Sequence, residues 1–499
     1  MKKFFAAVCG ILLVMLAFTG CLSTAPDRGW KGDPFYTEDD SYGSESFEEI
    51  TENPFVPTSV NAESTFSLDA NTAAYTVMRS RIENGDRVTK DSVRIEEYIN
   101  YFDYDSYPVP AEGEGLRLNY SIFDCPWNPD NKLLRLGLKT EEIKYSETDN
   151  NLVFLVDVSG SMYGADRLGL VQQSFNLLLE GLGQQDRVSI VTYASGTRTV
   201  LEGANGSEKS KISRAVNSLK AGGSTAGAGG IQRAYEVAER FFIEGGNNRV
   251  ILATDGDFNV GISSTKELEE FISQKRESGV YLSVLGFGMG NTKDDIMETL
   301  AKNGNGNYAY IDSLEEAKRV LVAGISGTLR TVARDAKALV RFDEKTVAQY
   351  RLIGYENKLI TVEEWEDDRT DTGDIGSGLT VTALYEIVPA EEFGGAESAG
   401  VFSVRYKDAD NVSSTENLEK SLTLAWSWER AVPSEDDMFI SCVAEYGLLL
   451  RESRYRGQAS FVTLSERLAE IPSAYFERDE FKAEFVGLVT VASRIYSEQ

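Results

Sequence analysis

Five short apolar runs that alternate with helical stretches constrain the fold of this chain more than any other feature of its 499 residues. Strands that alternate with helices predict a doubly wound, Rossmann-like parallel sheet with helices on both faces, which is an α/β fold. The predicted strands are Leu152–Val158, Arg187–Ala194, Val250–Thr254, Val280–Phe287 and Tyr308–Ile311. The predicted helices are Leu168–Leu182, Lys209–Leu219, Ile231–Phe242, Lys266–Ser278, Lys293–Lys302 and Leu314–Leu329.

Three clusters of hydroxyl and carboxylate side chains stand at the predicted carboxyl ends of these strands. The first cluster consists of Asp157, Ser159 and Ser161. The second is a Gly-rich loop that ends at Thr225, and the third is the Thr-Asp-Gly segment that contains Asp255. Ligands of open α/β sheets bind at this edge, so we expect these side chains to lie close together. A set of oxygen donors without nitrogen or sulfur suits a hard divalent cation, Mg²⁺ above all, with Mn²⁺ or Ca²⁺ as alternatives.

The same residues carry a resemblance to a known family. D-x-S-x-S, a later Thr in a Gly-rich loop, and T-D-G at a strand end resemble the metal-ion-dependent adhesion site of von Willebrand factor A domains. The resemblance implies that Ser159, Ser161 and Thr225 are direct ligands of the ion, and that Asp157 and Asp255 hold it through water. Five positions leave one place open on an octahedral ion, which an Asp or Glu of a protein partner can fill.

The resemblance extends over nearly all of the chain from Ser64 onward. Segments throughout this region resemble those of a bacterial family of exported von Willebrand factor A proteins, which have an amino-terminal flank and a carboxyl-terminal helical domain. These segments include STFSLDANTAAY (64–75), CPWNP (125–129), ATDGDFNVG (253–261), RLIGYENK (351–358) and AEYGLLLRES (444–453).

Charge and composition exclude several classes of function. The formal net charge is −29, which excludes nucleic acid binding through electrostatic attraction to the phosphates. The chain has no histidine, which removes Ser/His/Asp and Cys/His nucleophile systems and His-ligated zinc sites. We therefore expect a binding protein and not an enzyme.

The amino terminus predicts export and a lipid anchor. Lys2 and Lys3 precede an apolar run from Phe4 to Phe18, which is short for a membrane span and typical of a signal peptide covering residues 1–20. Cys21 follows this run in a sequence that resembles a lipobox, so we expect lipidation there and a location in the bacterial cell envelope. An ordinary cleaved signal with an incidental cysteine is the alternative.

An acidic, proline-containing segment follows the predicted anchor. Residues 22–62 hold nine acidic residues against two basic ones, and four of the eleven prolines of the chain. Self-repelling charge without a hydrophobic period predicts a disordered tether over 21–62.

The remaining segments divide into a helical unit with strands (63–145), the α/β domain (146–330), a β-sandwich (331–430) and a helical domain (431–499). Two strand patterns, Leu116–Asp124 and Leu133–Lys139, are too few for a stable sheet of their own. We expect them to join the sandwich, so that the α/β domain is an insertion between its strands. We expect Cys125 and Cys442 to be buried free thiols, and a disulfide between them in an oxidising envelope is the alternative.

Two other functions remain open on the sequence alone. Asp255 and Asp257 after a strand resemble the nucleophile and acid of Mg²⁺-dependent phosphatases of the haloacid dehalogenase type. That interpretation leaves D-x-S-x-S and the Gly-rich loop unexplained. The other alternative is an envelope scaffold that makes its contacts without metal.

Overall fold

The computed structural model describes residues 47–143, 149–224, 228–256, 265–288, 293–323, 330–391, 396–409, 417–427 and 432–497. The strands in chain order are β1 (Val56–Pro57), β2 (Glu63–Ser67), β3 (Leu116–Asp124), β4 (Lys132–Thr140), β5 (Asn150–Asp157), β6 (Arg187–Tyr193), β7 (Thr197–Asn205), β8 (Asn247–Thr254), β9 (Val280–Phe287), β10 (Tyr308–Ile311), β11 (Thr331–Phe342), β12 (Val347–Ile353), β13 (Gly373–Gly376), β14 (Thr380–Pro389), β15 (Ala396–Asp408) and β16 (Leu418–Ser427).

The α-helices in chain order are α1 (Ala73–Glu83), α2 (Ile95–Asn100), α3 (Leu168–Gly181), α4 (Lys209–Asn217), α5 (Ala228–Arg240), α6 (Thr265–Arg276), α7 (Asp294–Asn303), α8 (Leu314–Lys318), α9 (Val362–Glu366), α10 (Glu435–Leu450), α11 (Phe461–Glu470), α12 (Ser473–Phe476) and α13 (Glu480–Ser497). Among the described residues no helix is long and apolar enough to span a bilayer.

The α/β domain contains a six-stranded sheet in the order β10, β9, β8, β5, β6, β7. All neighbours are parallel except β6 and β7, which are antiparallel. The doubly wound prediction is confirmed, since α3, α4 and α8 contribute to the core on one face and α5, α6 and α7 to the core on the other. The edge strand β7 was not predicted, because it is only partly buried and its residues are mixed polar and apolar.

The described part of the last predicted helix of this domain is not a continuous α-helix. A helix over Leu314–Leu329 was expected, but the α-helix ends at Lys318 and a π-helical turn, Arg319–Ala323, follows it. Residues 324–329 lie outside the described part of the chain. Ser313 caps the start of α8 by accepting a hydrogen bond from the Glu316 backbone N–H at 3.1 Å.

Two antiparallel sheets form the sandwich. The first has the order β1, β12, β14, β4, β3, and the second has β13, β11, β15, β16, with β2 paired to β11. Side chains from both sheets build one core, including Leu136, Val340 and Tyr385. Strand β4 pairs with β14 from Lys132 to Lys139, which confirms that the strands before the α/β domain join those after it. The α/β domain is therefore inserted between β4 and β11.

The helices at the two ends of the chain form one shared core, although the sequence predicted separate units. Side chains of α1 and α2 pack with those of α10, α11 and α13. Capping boxes begin α10 and α11 at Ser434 and Ser460. Cys125 and Cys442 are buried free thiols in this core, as predicted, and burial raises the pKa of Cys442 to about 12.

The predicted tether is wrong for residues 47–62, which pack on the sandwich. The Asn53 amide donates to the carbonyl oxygens of Leu352 and Gly354 at 3.2 and 2.8 Å. The Thr58 hydroxyl donates to the Val347 carbonyl at 2.7 Å, and β1 pairs with β12. Hydrogen bonds to a strand edge hold this segment in place although it has no hydrophobic period. Residues 21–46 lie outside the described part of the chain.

Candidate functional site

The candidate site lies at the carboxyl ends of β5 and β8. The chain passes from β5 to β6 on one side and later places β8 on the other side of β5, so the strand order reverses at β5. Ligands of open α/β sheets bind in the crevice that such a reversal leaves. Asp157 ends β5, and Asp255 directly follows β8.

Asp157 is fixed by hydrogen bonds from two neighbouring segments. Its Oδ1 accepts from the Ser159 backbone N–H at 2.8 Å, and its Oδ2 accepts from the Thr254 hydroxyl at 3.3 Å. Thr254 Oγ1 in turn accepts from the Gly256 backbone N–H at 3.2 Å. The loops after β5 and β8 are thus joined through one carboxylate.

The two serines of D-x-S-x-S stand side by side. Ser159 Oγ lies 2.9 Å from Ser161 Oγ, on either side of the start of the 3₁₀ turn Gly160–Met162. Ligands 2.0–2.1 Å from an octahedral Mg²⁺ lie roughly 2.9 Å apart when they occupy adjacent positions. The spacing of these hydroxyls therefore fits two adjacent ligands of such an ion.

The Gly-rich loop is held against the D-x-S-x-S loop by its backbone. Gly222 donates its N–H to the Val158 carbonyl at 2.7 Å, and Gly160 donates to the Gly223 carbonyl at 2.9 Å. Gly223 has φ +93, and a Cβ there would lie 2.6 Å from Ser195 Oγ, so the close approach requires glycine. Ser195 Oγ also accepts from the Ser224 N–H at 2.9 Å.

Some of the predicted residues lie outside the described part of the chain. Thr225, the predicted third hydroxyl ligand, directly follows the described Ser224. Asp257 and Cys21 also lie outside that part. The described members of the predicted metal set, Asp157, Ser159, Ser161 and Asp255, are brought together at one sheet edge.

Burial sets the electrostatics of the site. Asp157, Ser159 and Asp255 are each at most 1% exposed. Burial raises the pKa of Asp157 to about 6, and the nearby charge of Asp255 acts in the same direction, while the Ser159 N–H lowers it. Two acids beside hydroxyl groups in a buried edge favour a cation, because its charge offsets their desolvation.

Arg167 is a contact of the site that sequence reasoning missed. Its Nη1 donates to the Ser161 carbonyl at 2.5 Å and lies 3.8 Å from Asp255 Oδ2. The residue stands just before α3, and no motif position marks it. Its guanidinium supports the D-x-S-x-S loop and places a positive charge near Asp255.

Family models cover most of the chain. The model described as von Willebrand factor matches residues 41–135, the one described as von Willebrand factor type A domain matches residues 151–322, and the one described as uncharacterized protein YfbK, C-terminal, matches residues 327–495.

One curated relative is similar over nearly all of the chain, and two solved structures are similar to parts of it. The uncharacterized protein YfbK of Escherichia coli (strain K12) is 35% identical over 96% of this chain and 86% of its own length. A von Willebrand factor type A structure from Catenulispora acidiphila aligns at 17% identity with a TM-score of 0.38, covering 62% of this chain and 72% of that one. Proximal thread matrix protein 1 from the mussel byssus, with a zinc-occupied MIDAS motif, aligns at 21% identity with a TM-score of 0.29, covering 35% and 44%.

Proposed function

Because the chain belongs to the family of bacterial von Willebrand factor A proteins that includes YfbK, we propose that it binds a protein partner through a divalent cation at the edge of its central sheet. The cation, Mg²⁺ in this proposal, would be held by Asp157, Ser159, Ser161, Thr225 and Asp255. When bound, it supplies a positive charge that this chain and a carboxylate of the partner share. The proposed role is non-enzymatic.

The spacing of the two serine hydroxyls carries the proposal. Ser159 Oγ and Ser161 Oγ are 2.9 Å apart, beside a buried carboxylate whose backbone and side-chain bonds fix its position. The described members of the predicted metal set all offer oxygen atoms, which favours Mg²⁺, Mn²⁺ or Ca²⁺ over a metal that prefers nitrogen or sulfur. In this proposal the fold positions the two hydroxyl oxygens at the distance that adjacent ligands of the cation require, without the cation being bound.

An exposed aromatic side chain beside the site supports a protein partner. Tyr163 follows the 3₁₀ turn that carries Ser161, and it is 84% exposed. Exposed tyrosines are enriched where proteins bind each other, because the ring provides contact area and the hydroxyl a hydrogen bond. A partner that presents an Asp or Glu to the cation would cover this ring.

The location in the cell envelope is also a proposal. The apolar run Phe4–Phe18 followed by Cys21 supports cleavage and lipidation at that cysteine. The described body begins at residue 47, so 25 residues, 22–46, would lie between the lipid and the sandwich.

The deciding experiment measures partner capture from the cell envelope. The bait is the full chain as wild type, as Asp157→Ala, and as Asp149→Ala, with and without EDTA. Asp149 is the matched control, because it is exposed and precedes the opposite end of the same strand. We expect the partner with wild type and Asp149→Ala, and its loss with EDTA or Asp157→Ala.

The same samples separate the alternatives. Partner binding that survives both EDTA and Asp157→Ala would contradict the metal site and favour the scaffold. Mg²⁺-dependent release of phosphate from a general phosphatase substrate, lost in Asp255→Asn, would contradict the non-enzymatic role.

A further inference from the structure

Arg167 contacts two loops at the edge of the central sheet that carries the proposed cation site. Its carbonyl accepts the Val171 N–H at 2.9 Å, which fixes its backbone at the start of α3. Its Nη1 donates to the Ser161 carbonyl after β5 at 2.5 Å and lies 3.8 Å from Asp255 Oδ2 after β8. The guanidinium is therefore held against both loops that carry described members of the predicted metal set.

A glycine after β9 leaves room for the same side chain. Gly288 directly follows β9 and has φ +76, and a Cβ there would lie 2.5 Å from Arg167 Nε. Any other residue at this position would displace the arginine, because atoms that close overlap. The fold thus holds the Arg167 side chain along its path toward Asp255.

The charge of Arg167 acts on a buried carboxylate. The side chain of Asp255 is 0% exposed and that of Arg167 is 21% exposed. Asp166 Oδ2 also lies 3.9 Å from Arg167 Nε, but the Asp166 side chain is 65% exposed, so solvent screens its charge. Charges interact more strongly where water is excluded, so the contact with Asp255 matters more for the site.

A count of charges shows what Arg167 changes. Asp157 and Asp255 together carry two negative charges, which a divalent cation would neutralise. The guanidinium makes the same edge more positive by one charge. It should therefore weaken the binding of a cation and strengthen the binding of an anionic group at the open position of that cation.

We propose that Arg167 is a specificity-determining residue of this site, because its charge makes a carboxylate of the partner, and not a neutral oxygen, the preferred ligand at the open position. This inference rests on the proposed metal-dependent function and deepens it. The hydrogen bond to Ser161 acts in the opposite direction on cation binding, since it supports the D-x-S-x-S loop. A test must therefore separate the charge of Arg167 from its hydrogen bond.

The test compares Arg167→Met with Arg167→Lys in the full chain. Both substitutions remove the planar guanidinium, both residues are unbranched, and only lysine keeps the positive charge. Arg198→Met is the control, because Arg198 is exposed and lies opposite Thr192, near the carboxyl end of β6 at the same edge. Calorimetry with MgCl₂ gives the dissociation constant of Mg²⁺ for each protein. We expect a value about fivefold to tenfold lower for Arg167→Met than for Arg167→Lys, and equal values for wild type and Arg198→Met.

A second titration uses acetate as the probe of the open position. Chloride is replaced with acetate at equal ionic strength, and the dissociation constant of Mg²⁺ is measured again. Acetate should lower this constant more for wild type and Arg167→Lys than for Arg167→Met, because only the first two proteins keep the extra positive charge.

Two results would overturn the role of Arg167 and leave the proposed metal-dependent function intact. One is Mg²⁺ binding to Arg167→Met that is no tighter than binding to Arg167→Lys, since a purely structural role of the arginine gives that result. The other is an equal effect of acetate on all the proteins. Absence of Mg²⁺ binding in every protein would contradict the metal-dependent function and the role of Arg167 together.

Discussion

A buried arginine joins the helical core to the inserted α/β domain, and its removal gives a sharp test of how the parts hold together. Arg79 of α1 places Nη2 2.6 Å from Asp312 Oδ1 and 3.0 Å from Glu316 Oε2. Its Nη1 donates to the Tyr101 hydroxyl at 2.7 Å and lies 3.1 Å from Glu484 Oε2 of α13. One guanidinium therefore contacts both the end of the α/β domain and the last helix.

The perturbation is Arg79→Met, which keeps an unbranched side chain and removes the charge. The side chains of Arg79, Asp312 and Glu316 are 3%, 7% and 1% exposed. Removing one partner of a buried ion pair costs roughly 3–5 kcal/mol, because the other charge stays buried without compensation. We expect a loss of that size in the free energy of unfolding. Glu316 keeps Arg319 as a partner, at 2.7 Å, so the loss falls mainly on Asp312.

The loss should depend on pH. Burial raises the pKa of Asp312, while hydrogen bonds and the charge of Arg79 lower it. Without Arg79 this pKa rises further above its unfolded value, so the protonated carboxyl is favoured in the folded state. Such a group contributes less stability as pH rises between the two pKa values. The penalty of Arg79→Met should therefore be larger near pH 8 than near pH 5.

The assay is urea unfolding followed by tryptophan fluorescence and far-ultraviolet circular dichroism. Residues 151–322 contain no tryptophan, whereas Trp127 lies in the helical core and Trp426 in the sandwich. Fluorescence thus reports unfolding outside the α/β domain, and circular dichroism reports all helices. Arg240→Met is the control, because Arg240 pairs with Glu202 at a surface where side chains are 51% and 36% exposed and such pairs contribute at most about 1 kcal/mol.

Two outcomes would refute this reasoning. Equal midpoints for Arg79→Met and Arg240→Met would show that the buried pair contributes nothing special. A double variant, Arg79→Met with Asp312→Asn, that is no more stable than Arg79→Met would show that an unpaired Asp312 is not the cause.

Three further predictions concern the metal, the anchor and Glu96. At about 100 times its dissociation constant, Mg²⁺ should stabilise the full chain by about 2.7 kcal/mol. Mn²⁺ should raise the melting temperature similarly, whereas Zn²⁺ should not raise it more than Mg²⁺ does. Equal melting temperatures of wild type and Asp255→Ala at every Mg²⁺ concentration would count against the site. Cys21→Ser should move the protein from the membrane to the soluble fraction; unchanged fractionation without labelling by a lipid analogue would contradict lipidation. Burial raises the pKa of Glu96 to about 7, so its carboxyl group must ionise at a cost in the folded protein as the pH rises. Between pH 4.5 and 8, the free energy of unfolding of wild type, measured by urea titration, should fall relative to that of Glu96→Gln by on the order of 3 kcal/mol. Parallel pH profiles of the two proteins would contradict this prediction.

The sequence alone determined the α/β domain and the position of its candidate site. The five predicted strands are buried apolar runs, and their boundaries differ from those of the structure by at most three residues. Parallel strands bring their carboxyl ends to one edge, so Asp157 and Asp255 were expected to meet although they are distant in the chain. Local periodicity and the rules of strand connection suffice for such predictions, because they need no knowledge of side-chain contacts.

Only the tertiary structure decided which distant groups meet outside that edge. The packing of residues 47–62 depends on amide and hydroxyl bonds to β12, which leave no periodic signal. Several contacts join residues from separate elements. Arg79 contacts Asp312 and Glu484, Arg167 lies near Asp255, and Glu96 packs against Gly354. A charged residue has the same local pattern whether it is solvated or buried, so its role is set by the partners that the fold brings to it.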